Sequence, residues 1–443
     1  MPLQIIFKRI VLTYALLACS IAAGKNQTIL TLQAATELAI QDNPDLAQIR
    51  ARAQAMAAIP SQEGALPDPE ISFNAMSLPV NTFNLHQEDM TQLGAGISQA
   101  IPFPGKLALR EQAAAFEAEA ASQNITEARW RLLSEVKTTW WLIFYLDRTL
   151  QITDSNYALL QQFVEIARTK YEVGEGLQQD VLLAQLELSK LLNQQLMLKA
   201  SRRNAAASLN ALLDKPANSD VHLPETVVLQ LPALRQENLL YQQAETSRAL
   251  LESNRLGINA AKSRLDLAKK GYLPDFTVDA AYGARANTPS GTQRPDLLSL
   301  NLSINVPIFA AQKQAKAVDQ RTSELLQEKY TLQDEWNKVR SQITQGYTDY
   351  QRAKDQVVLF ETGIVPQARQ TVASMLAGYQ VNKVDFLNLV RSQITLFEYE
   401  TQYWKAFTEA NQSLAQISAA VGSESISDSD SHPAACRQGN CYE

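Results

Sequence analysis

The sequence feature that most constrains the fold is a stretch of 68 residues, 106–173, that contains neither glycine nor proline. These two residue types are the ones that most often end a helix, so the stretch predicts one continuous α-helix. At ~1.5 Å per residue, such a helix is about 100 Å long, which exceeds the thickness of a compact domain. Gly174 and Gly176 follow, and residues 177–215 again lack glycine and proline. The pattern predicts long helical hairpins.

Residues 298–309, LSLNLSINVPIF, repeat with a period of two. Apolar side chains take every second position up to Ile308, with serine or asparagine at 299, 301, 303 and 305. This alternation predicts a strand with one apolar and one polar face. A sheet wetted on one face has this pattern, and so has a strand between lipid and water. Three further segments are predicted strands: ISFNAM (71–76), LGAGISQAIP (93–102) and DFTVDAAYG (275–283).

The number of predicted strands limits how they could lie in a membrane. A sheet of four strands has open edges, and hydrocarbon does not tolerate unpaired backbone groups. If these strands span a membrane, several chains must therefore contribute strands to one closed structure. Beyond the N-terminal segment, no stretch of the sequence is long and apolar enough to predict a transmembrane helix.

Three matches within the sequence indicate an internal duplication. Their separations are 207, 205 and 208 residues, which is nearly constant and predicts two tandem repeats. The matched pairs are LPDPEISF (66–73) with LPDFTVDA (273–280), SQAIP (98–102) with SINVP (303–307), and YEVGEGLQQDVLLAQ (171–185) with YQVNKVDFLNLVRSQ (379–393).

Each repeat has the same predicted order: one helix, two strands and a long helical hairpin. The first helix is predicted at 30–62 and again at 234–270. In the second repeat the long arm, 310–378, contains Gly363 and Pro366, which predict a kink near 363–366. We predict the first repeat at 30–215, a linker at 216–233, the second repeat at 234–422 and an acidic tail at 423–443.

Composition narrows the function classes. The formal net charge is -6, which argues against a nucleic-acid partner. The three histidines are dispersed, and the sequence shows neither a glycine-rich phosphate loop nor a zinc-spaced cluster. We therefore predict a protein that is not an enzyme and needs no cofactor.

The N-terminal segment predicts export from the cytoplasm. Lys8 and Arg9 precede a short apolar stretch, as in a secretory signal peptide, which we place at 1–18. The sequence LLAC, ending at Cys19, resembles a bacterial lipobox, so Cys19 is the predicted site of lipid attachment. The alternative is ordinary cleavage after Ala22 or Ala23.

The C-terminal segment, 423–443, is acidic and of low complexity, and we predict that it is disordered. His432, Cys436 and Cys441 have a spacing that could hold a soft metal ion. In an oxidising compartment a disulfide between the two cysteines is the simpler outcome.

The repeated segments also resemble a known family. ALPDPEISF, SQAIPFPGK, YEVGEGLQQDVLLAQ, LPDFTVDAAYG and YQVNKVDFLNL, in this order, are similar to the TolC-type outer-membrane efflux family. The resemblance implies a mainly α fold with a small β part, assembled as a homotrimer. Each protomer would give four strands to a twelve-stranded outer-membrane β-barrel and its helices to a periplasmic α-barrel.

The resemblance further implies a passive exit duct without chemistry of its own. Its partners would be outer-membrane lipid, a periplasmic adaptor and an inner-membrane RND-type or ABC transporter. The first two strands and the loop between them look most like the heavy-metal branch, with metal cations as the exported substrate. Drug efflux and type I protein secretion remain alternatives, and a periplasmic coiled-coil adaptor or scaffold is a further one.

Three residues at the first hairpin turn match the family's V-G-x5-D arrangement. These are Val173, Gly174 and Asp180, for which the resemblance implies a groove that receives adaptor hairpins. The glycine would permit the chain reversal. The alternative is a plain helical turn in which Asp180 caps the following helix.

At the second turn the chain departs from the family. Some members have two carboxylates, three residues apart, that line the closed pore; the matching positions here are Asn388 and Arg391. The resemblance therefore implies a pore constriction in which Arg391 sets a basic ring or pairs with Asp385 of a neighbouring protomer. A solvated outer face is the alternative for Arg391.

Two further groups have mainly structural interpretations. Trp140, Trp141, Phe144 and Tyr145 predict core packing between helices. Three possible soft ligands, Met76, His86 and Met90, lie between the first two strands and are interpreted as loop residues.

Overall fold

A computed structural model of the chain describes residues 29–427. The fold is mainly helical with one small sheet, as predicted. The predicted signal peptide at 1–18, Cys19, His432, Cys436 and Cys441 lie outside the described residues.

The first repeat contains five helices and two strands. They are α1 (Leu32–Asp42), α2 (Pro44–Ala57), α3 (Ile59–Gly64), β1 (Glu70–Met76), β2 (Gln92–Ile101), α4 (Lys106–Glu172) and α5 (Gln178–Leu212).

The second repeat has the same order. Its elements are α6 (Glu237–Ser247), α7 (Ala249–Lys270), β3 (Phe276–Ala284), β4 (Leu297–Ile304), α8 (Gln314–Leu359), a π-helical turn (Phe360–Ile364), α9 (Val365–Gln380) and α10 (Phe386–Val421).

The long helix predicted at 106–173 is confirmed as α4, which is continuous over 67 residues. Next to the position of the predicted kink, 363–366, the structure has a π-helical turn in which the Val365 amide bonds to the Phe360 carbonyl. Pro366 explains it, because proline has no amide proton to continue the α-helical ladder.

The single first helix predicted in each repeat is wrong. Residues 30–62 form three helices, since Pro44 disfavours a helical conformation at Asn43, which has φ -64° and ψ 122°. Residues 234–270 form two helices, interrupted at Arg248, which has φ -75° and ψ 111°. No proline marks this second break, so its cause lies in tertiary contacts.

The four strands form one antiparallel sheet in the order β1-β2-β3-β4. The predicted strand at 298–309 is too long. β4 ends at Ile304, although the Asn305 amide still donates to the Asp275 carbonyl at 3.0 Å in the register of the ladder. Pro307 follows, which cannot donate to a ladder.

The described residues divide into two compact units, and each unit draws on both repeats. The first consists of 29–43, Glu135–Leu231 and Gln351–Gln412; the second consists of Pro44–Ser134, Pro232–Tyr350 and 413–427. The compact units therefore cut across the sequence repeats.

The first unit contains the predicted aromatic core. Trp140 and Phe144 are fully buried, with ring centroids 5.8 Å apart, and Trp141 packs edge-on against Phe407 at 5.6 Å. Trp140 Nε1 also donates to the Leu30 carbonyl at 3.0 Å. Tyr145 is half-buried. The structural interpretation of this group is confirmed.

Two ion pairs in the second unit have a buried cation, Lys106 in one and Arg248 in the other. Lys106, the first residue of α4, donates from Nζ to Asp275 Oδ1 at 2.8 Å and to the Leu273 carbonyl at 2.9 Å. Arg248 Nη2 donates to Glu127 Oε1 at 2.6 Å. The Phe103 amide also donates to Asp275, at 2.8 Å.

The start of the predicted disordered tail is ordered. Ile426 and Ser427 are buried, Ser427 forms a β-bridge with Leu234, and the Arg235 amide donates to the Ile426 carbonyl at 3.0 Å. The prediction of a disordered tail is therefore wrong for residues 423–427.

Within residues 29–427, none of the helices combines the length and apolarity needed to cross a bilayer.

Candidate functional site

The first hairpin turn, residues 170–180, is named tip 1. Gly174 has a φ of 78°, the left-handed conformation that glycine adopts without a steric penalty. The Glu175 amide bonds to the Lys170 carbonyl at 2.8 Å, and the Gly174 amide bonds to the Tyr171 carbonyl at 3.1 Å. These are the two bonds of a Schellman motif, which satisfies the last carbonyls of α4.

The second hairpin turn, residues 378–391, is named tip 2 and repeats this backbone. Asn382 corresponds to Gly174 in the repeat alignment and has a φ of 57°. The Lys383 amide bonds to the Gly378 carbonyl at 2.9 Å, and the Asn382 amide bonds to the Tyr379 carbonyl at 3.2 Å. Asparagine tolerates this conformation better than most residues. The duplication therefore extends to individual hydrogen bonds.

Each tip begins its return helix with a carboxylate. Asp180, three residues after Leu177, accepts a hydrogen bond from the Leu177 amide, which is the back-bonding half of a capping box. Asp385 precedes α10 and accepts from the Asn388 amide at 2.8 Å, while Asn388 Nδ2 donates to its second oxygen at 3.0 Å. Both carboxylates thus face helix N-termini, where negative charge is favoured.

Lys170 joins the two tips. Its Nζ donates to the Tyr379 carbonyl at 2.9 Å, donates to the Asn382 side-chain oxygen, and lies 4.7 Å from the centroid of the Tyr379 ring. The Tyr379 hydroxyl is buried and has no hydrogen-bond partner among the described residues. The junction therefore depends on one lysine that holds the backbone and ring of the opposite tip.

The pKa of Asp180 responds to its surroundings at the two tips. Burial raises the pKa of Asp180, and the like charge of Asp385 raises it further. The hydrogen bond from the Leu177 amide lowers this pKa but does not cancel the increase. Burial also raises the pKa of Tyr379, and the charge of Asp180 adds to that effect. Protonation of Asp180 is therefore easier here than in an isolated aspartate.

A hydrophobic cluster supports the tips from within the first unit. The ring centroids of Phe386 and Tyr379 lie 5.3 Å apart. Gln393 Nε2 donates to Asn156 Oδ1 at 2.8 Å, and the side chains of Gln393 and Asn156 are both buried. The cluster draws on all four hairpin arms: Leu160, Phe163, Ala167, Ala184, Leu191, Tyr379, Phe386, Leu389, Val390 and Phe397.

The structure brings together most residues singled out from the sequence. Val173, 66% exposed, and Gly174 lie at the end of tip 1. Asn388 and Arg391 are exposed at the start of α10, three residues apart and so on one face. The Asp385 carboxylate accepts a hydrogen bond from the Asn388 side chain of its own chain. The roles predicted for Val173, Gly174, Asp180, Asp385, Asn388 and Arg391 stay predictions.

Sequence reasoning missed Lys170, Tyr379 and Asn382. The repeat alignment contained a signal for Asn382, because it places that residue opposite Gly174. Nothing in the sequence pairs Lys170 with Tyr379, since they are distant along the chain and approach only when both hairpins pack.

Two of the three possible soft ligands near the β1–β2 connection make other contacts. His86 Nδ1 lies 2.8 Å from the Asn287 carbonyl, and Met76 Sδ accepts from Gln92 Nε2 at 3.3 Å. Across residues 29–427, no group of three or more histidine, cysteine, aspartate or glutamate side chains is placed to hold a metal ion.

The family comparison identifies a chain with these helical hairpins, this four-stranded sheet and these paired tips as a channel-type export protein. The chain belongs to the family described as outer membrane efflux protein, whose model matches residues 35–214 and 240–423. The resemblance to the TolC-type family is thereby confirmed. The protein is an outer-membrane efflux channel that extends into the periplasm, and it is not an enzyme.

Individual relatives are similar at low identity. The outer membrane efflux protein BepC of Brucella suis is 23% identical over 308 residues, covering 66% of this chain and 65% of BepC. The cobalt-zinc-cadmium resistance protein CzcC of Cupriavidus metallidurans is 20% identical over 398 residues, covering 89% and 90%. The solved structure of VceC from Vibrio cholerae has a TM-score of 0.74 at 17% identity, covering 88% and 96%.

Proposed function

We propose that the chain is the exit duct of a tripartite efflux system, a homotrimer coupled to a periplasmic adaptor and an inner-membrane transporter of the RND or ABC type. The observation that carries this proposal is the apolar face of the two outer strands. Phe73 on β1 is 82% exposed, and Leu298 and Leu300 on β4 are 71% and 75% exposed. Side chains of this size are stable at such exposure when they face lipid.

Tip 1 is the proposed docking site for the adaptor. Val173 offers an exposed apolar side chain beside Gly174, and Asp180 fixes the start of α5. The proposed pore constriction is at tip 2, where Asn388 and Arg391 share a face of α10 and Asp385 holds the first turn. Cys19 is the proposed lipid anchor.

Metal cations are the proposed cargo. Support comes from the resemblance of the first two strands to the heavy-metal branch and from the similarity to CzcC over 89% of the chain. The alternative is drug efflux or protein secretion, which the similarity to BepC, named for efflux without a substrate, leaves open.

Two experiments test the proposal. Purified protein in a planar bilayer should form ion-conducting channels, and its mass in detergent should equal three chains; a protein of single-chain mass that does not conduct would exclude the duct. A deletion strain should lose tolerance to cobalt, zinc and cadmium. Lost drug tolerance with unchanged metal tolerance would instead favour the alternative cargo.

A further inference from the structure

We propose that β4 of one copy of this chain pairs with β1 of a second copy in a single register, with Ser303 opposite Ser72 of the second copy. In the same contact, Lys313 of the first copy forms an ion pair with Asp68 of the second copy. This inference rests on the proposed oligomeric duct and adds its strand register and its interface residues.

The first step is that the duplication is exact in hydrogen-bond register within each repeat. Ser72 on β1 pairs with Gly96 on β2. Advancing these positions by 207 and 205 residues, the separations of the matched sequences, gives Asp279 and Asn301. Those two residues are paired in the β3–β4 ladder. The two offsets therefore convert positions in one repeat into structurally equivalent positions in the other.

The second step applies these offsets to the junction between repeats. Within the chain, β2 of the first repeat pairs with β3 of the second, and Ser98 lies opposite Asp279. The equivalent of Ser98 is Ser303 on β4, and the equivalent of Asp279 is Ser72 on β1. β4 and β1 are the two outer strands of the sheet. A second copy placed beside β4 repeats the existing junction and leaves the strand direction antiparallel.

The third step is that side-chain chemistry agrees with this register. It places Leu302 opposite Phe73 and Ile304 opposite Ile71, and these four residues are 60%, 82%, 49% and 69% exposed. The intervening positions set Ser303 opposite Ser72 and Asn301 opposite Asn74. Apolar residues therefore line one face across the junction, and small polar residues line the other. A slip of one residue would set each apolar row against a polar one.

The fourth step concerns an ion pair that forms within the chain at the β2–β3 junction. At the proposed β4–β1 junction, its two equivalent residues would come from different copies. At the junction within the chain, Lys106 of the first repeat contacts Asp275 of the second at 2.8 Å and is buried. The offset of 207 relates Asp275 to Asp68, and Lys313 lies directly before the first residue of α8, much as Lys106 is the first residue of α4. Lys313 and Asp68 are both exposed. Opposite charges thus follow the end of β4 and precede the start of β1, the two strand ends that the proposed register brings together.

Cysteine cross-linking of the full-length chain in its membrane tests the register. Paired residues in an antiparallel ladder have Cα atoms about 5 Å apart, within reach of a disulfide. Oxidation with copper phenanthroline should therefore convert S72C/S303C into covalent oligomers. The matched control S72C/S299C is displaced by four residues, or ~14 Å, and should stay uncross-linked. S72C and S303C alone control for the native cysteines.

Charge reversal tests the ion pair independently. Asp68→Lys and Lys313→Asp should each lower the temperature at which the unboiled oligomer dissociates in SDS, and the double variant should restore it. Lys329→Asp, an exposed lysine elsewhere on α8, should leave it unchanged. Single reversals that behave like Lys329→Asp, or a double variant without recovery, would overturn the ion pair.

The outcomes separate this inference from the proposed function. An oligomer that cross-links through S72C/S299C, or through neither pair, overturns the register while the duct stands. A single-chain mass by light scattering in detergent overturns both proposals.

Discussion

Lys170 of the first hairpin lies over the ring of Tyr379 of the second, with Nζ 4.7 Å from the ring centroid and 2.9 Å from the Tyr379 carbonyl. Because this side chain also donates to Asn382, it links tip 1 to the turn of tip 2. The stability of the junction between the tips should therefore respond to this one lysine.

Lys170→Met should loosen tip 2 without unfolding the chain. Loss of a charge-assisted bond from a half-exposed group is worth roughly 1 kcal/mol, which corresponds to about fivefold faster exchange of amides that open locally. Hydrogen exchange at residues 379–383 measures it. Lys190→Met, which removes the ion pair of the exposed Lys190 with Glu187 within α5, is the matched control. Equal exchange in the two variants would refute the link.

Acidification should stabilise the contact around Asp180. The pKa of Asp180 is raised by burial and by Asp385, so the folded tips bind a proton more readily than the unfolded chain does. The stabilising contribution is fully present below the ordinary pKa of 3.8 and is lost as pH rises through the folded value. Acidification should therefore raise the thermal unfolding temperature less in Asp180→Asn than in the natural protein. Asp355→Asn, an exposed carboxylate on α8, should keep the natural pH dependence; a loss of that dependence in both variants would count against Asp180.

Glu127→Gln should destabilise the second unit by about 3 kcal/mol, because it removes the carboxylate that pairs with the buried guanidinium of Arg248 and leaves only the weaker charge interaction with Glu335. Burial raises the pKa of Glu127 and lowers that of Arg248, although each charge opposes the shift of the other. Thermal unfolding in detergent measures the loss. Glu324→Gln, which removes a more exposed pair with Arg321, should cost under ~1 kcal/mol.

The double variant Glu127→Leu with Arg248→Met provides the complementary test. It should recover most of the stability, since no unpaired charge remains buried. A double variant as unstable as Glu127→Gln would mean that the pair contributes through shape and not through charge.

Gly346→Ala should destabilise the second unit by about 1–3 kcal/mol, because overpacking displaces a neighbouring helix. A Cβ at Gly346 would lie 2.8 Å from Ile417 Cγ1 on α10. Gly363→Ala is the control, since its Cβ would meet Leu359 Cδ1 at 3.8 Å, an ordinary contact. The thermal unfolding temperature should fall for Gly346→Ala and should stay level or rise for Gly363→Ala. A similar fall in both variants would point to helix propensity or backbone effects.

The sequence was informative where local chemistry decides the structure. The absence of glycine and proline predicts α4 to within a residue, and each of the four segments predicted as strands contains one. Pro366 predicts the irregularity that the π-helical turn provides. Pro44 carries an equally local signal for a helix end, which the prediction of one helix over 30–62 overlooked.

Other features depend on contacts between distant segments. The break at Arg248 has no local cause; Glu127 on α4 pairs with Arg248 and accepts the Leu250 amide at the start of α7. The order at residues 423–427 likewise requires Leu234 and Arg235. At the tips, the sequence predicts the turns but cannot show that Lys170 reaches Tyr379.

The paired Schellman turns have a consequence for any binder that grips both ends of the hairpins. Their two Schellman hydrogen bonds match, yet the residue after the left-handed position is Glu175 in one and Lys383 in the other. Two identical ligand segments would meet the same backbone shape with opposite charge. Such segments must either recognise main-chain groups alone or bind the two turns with unequal strength.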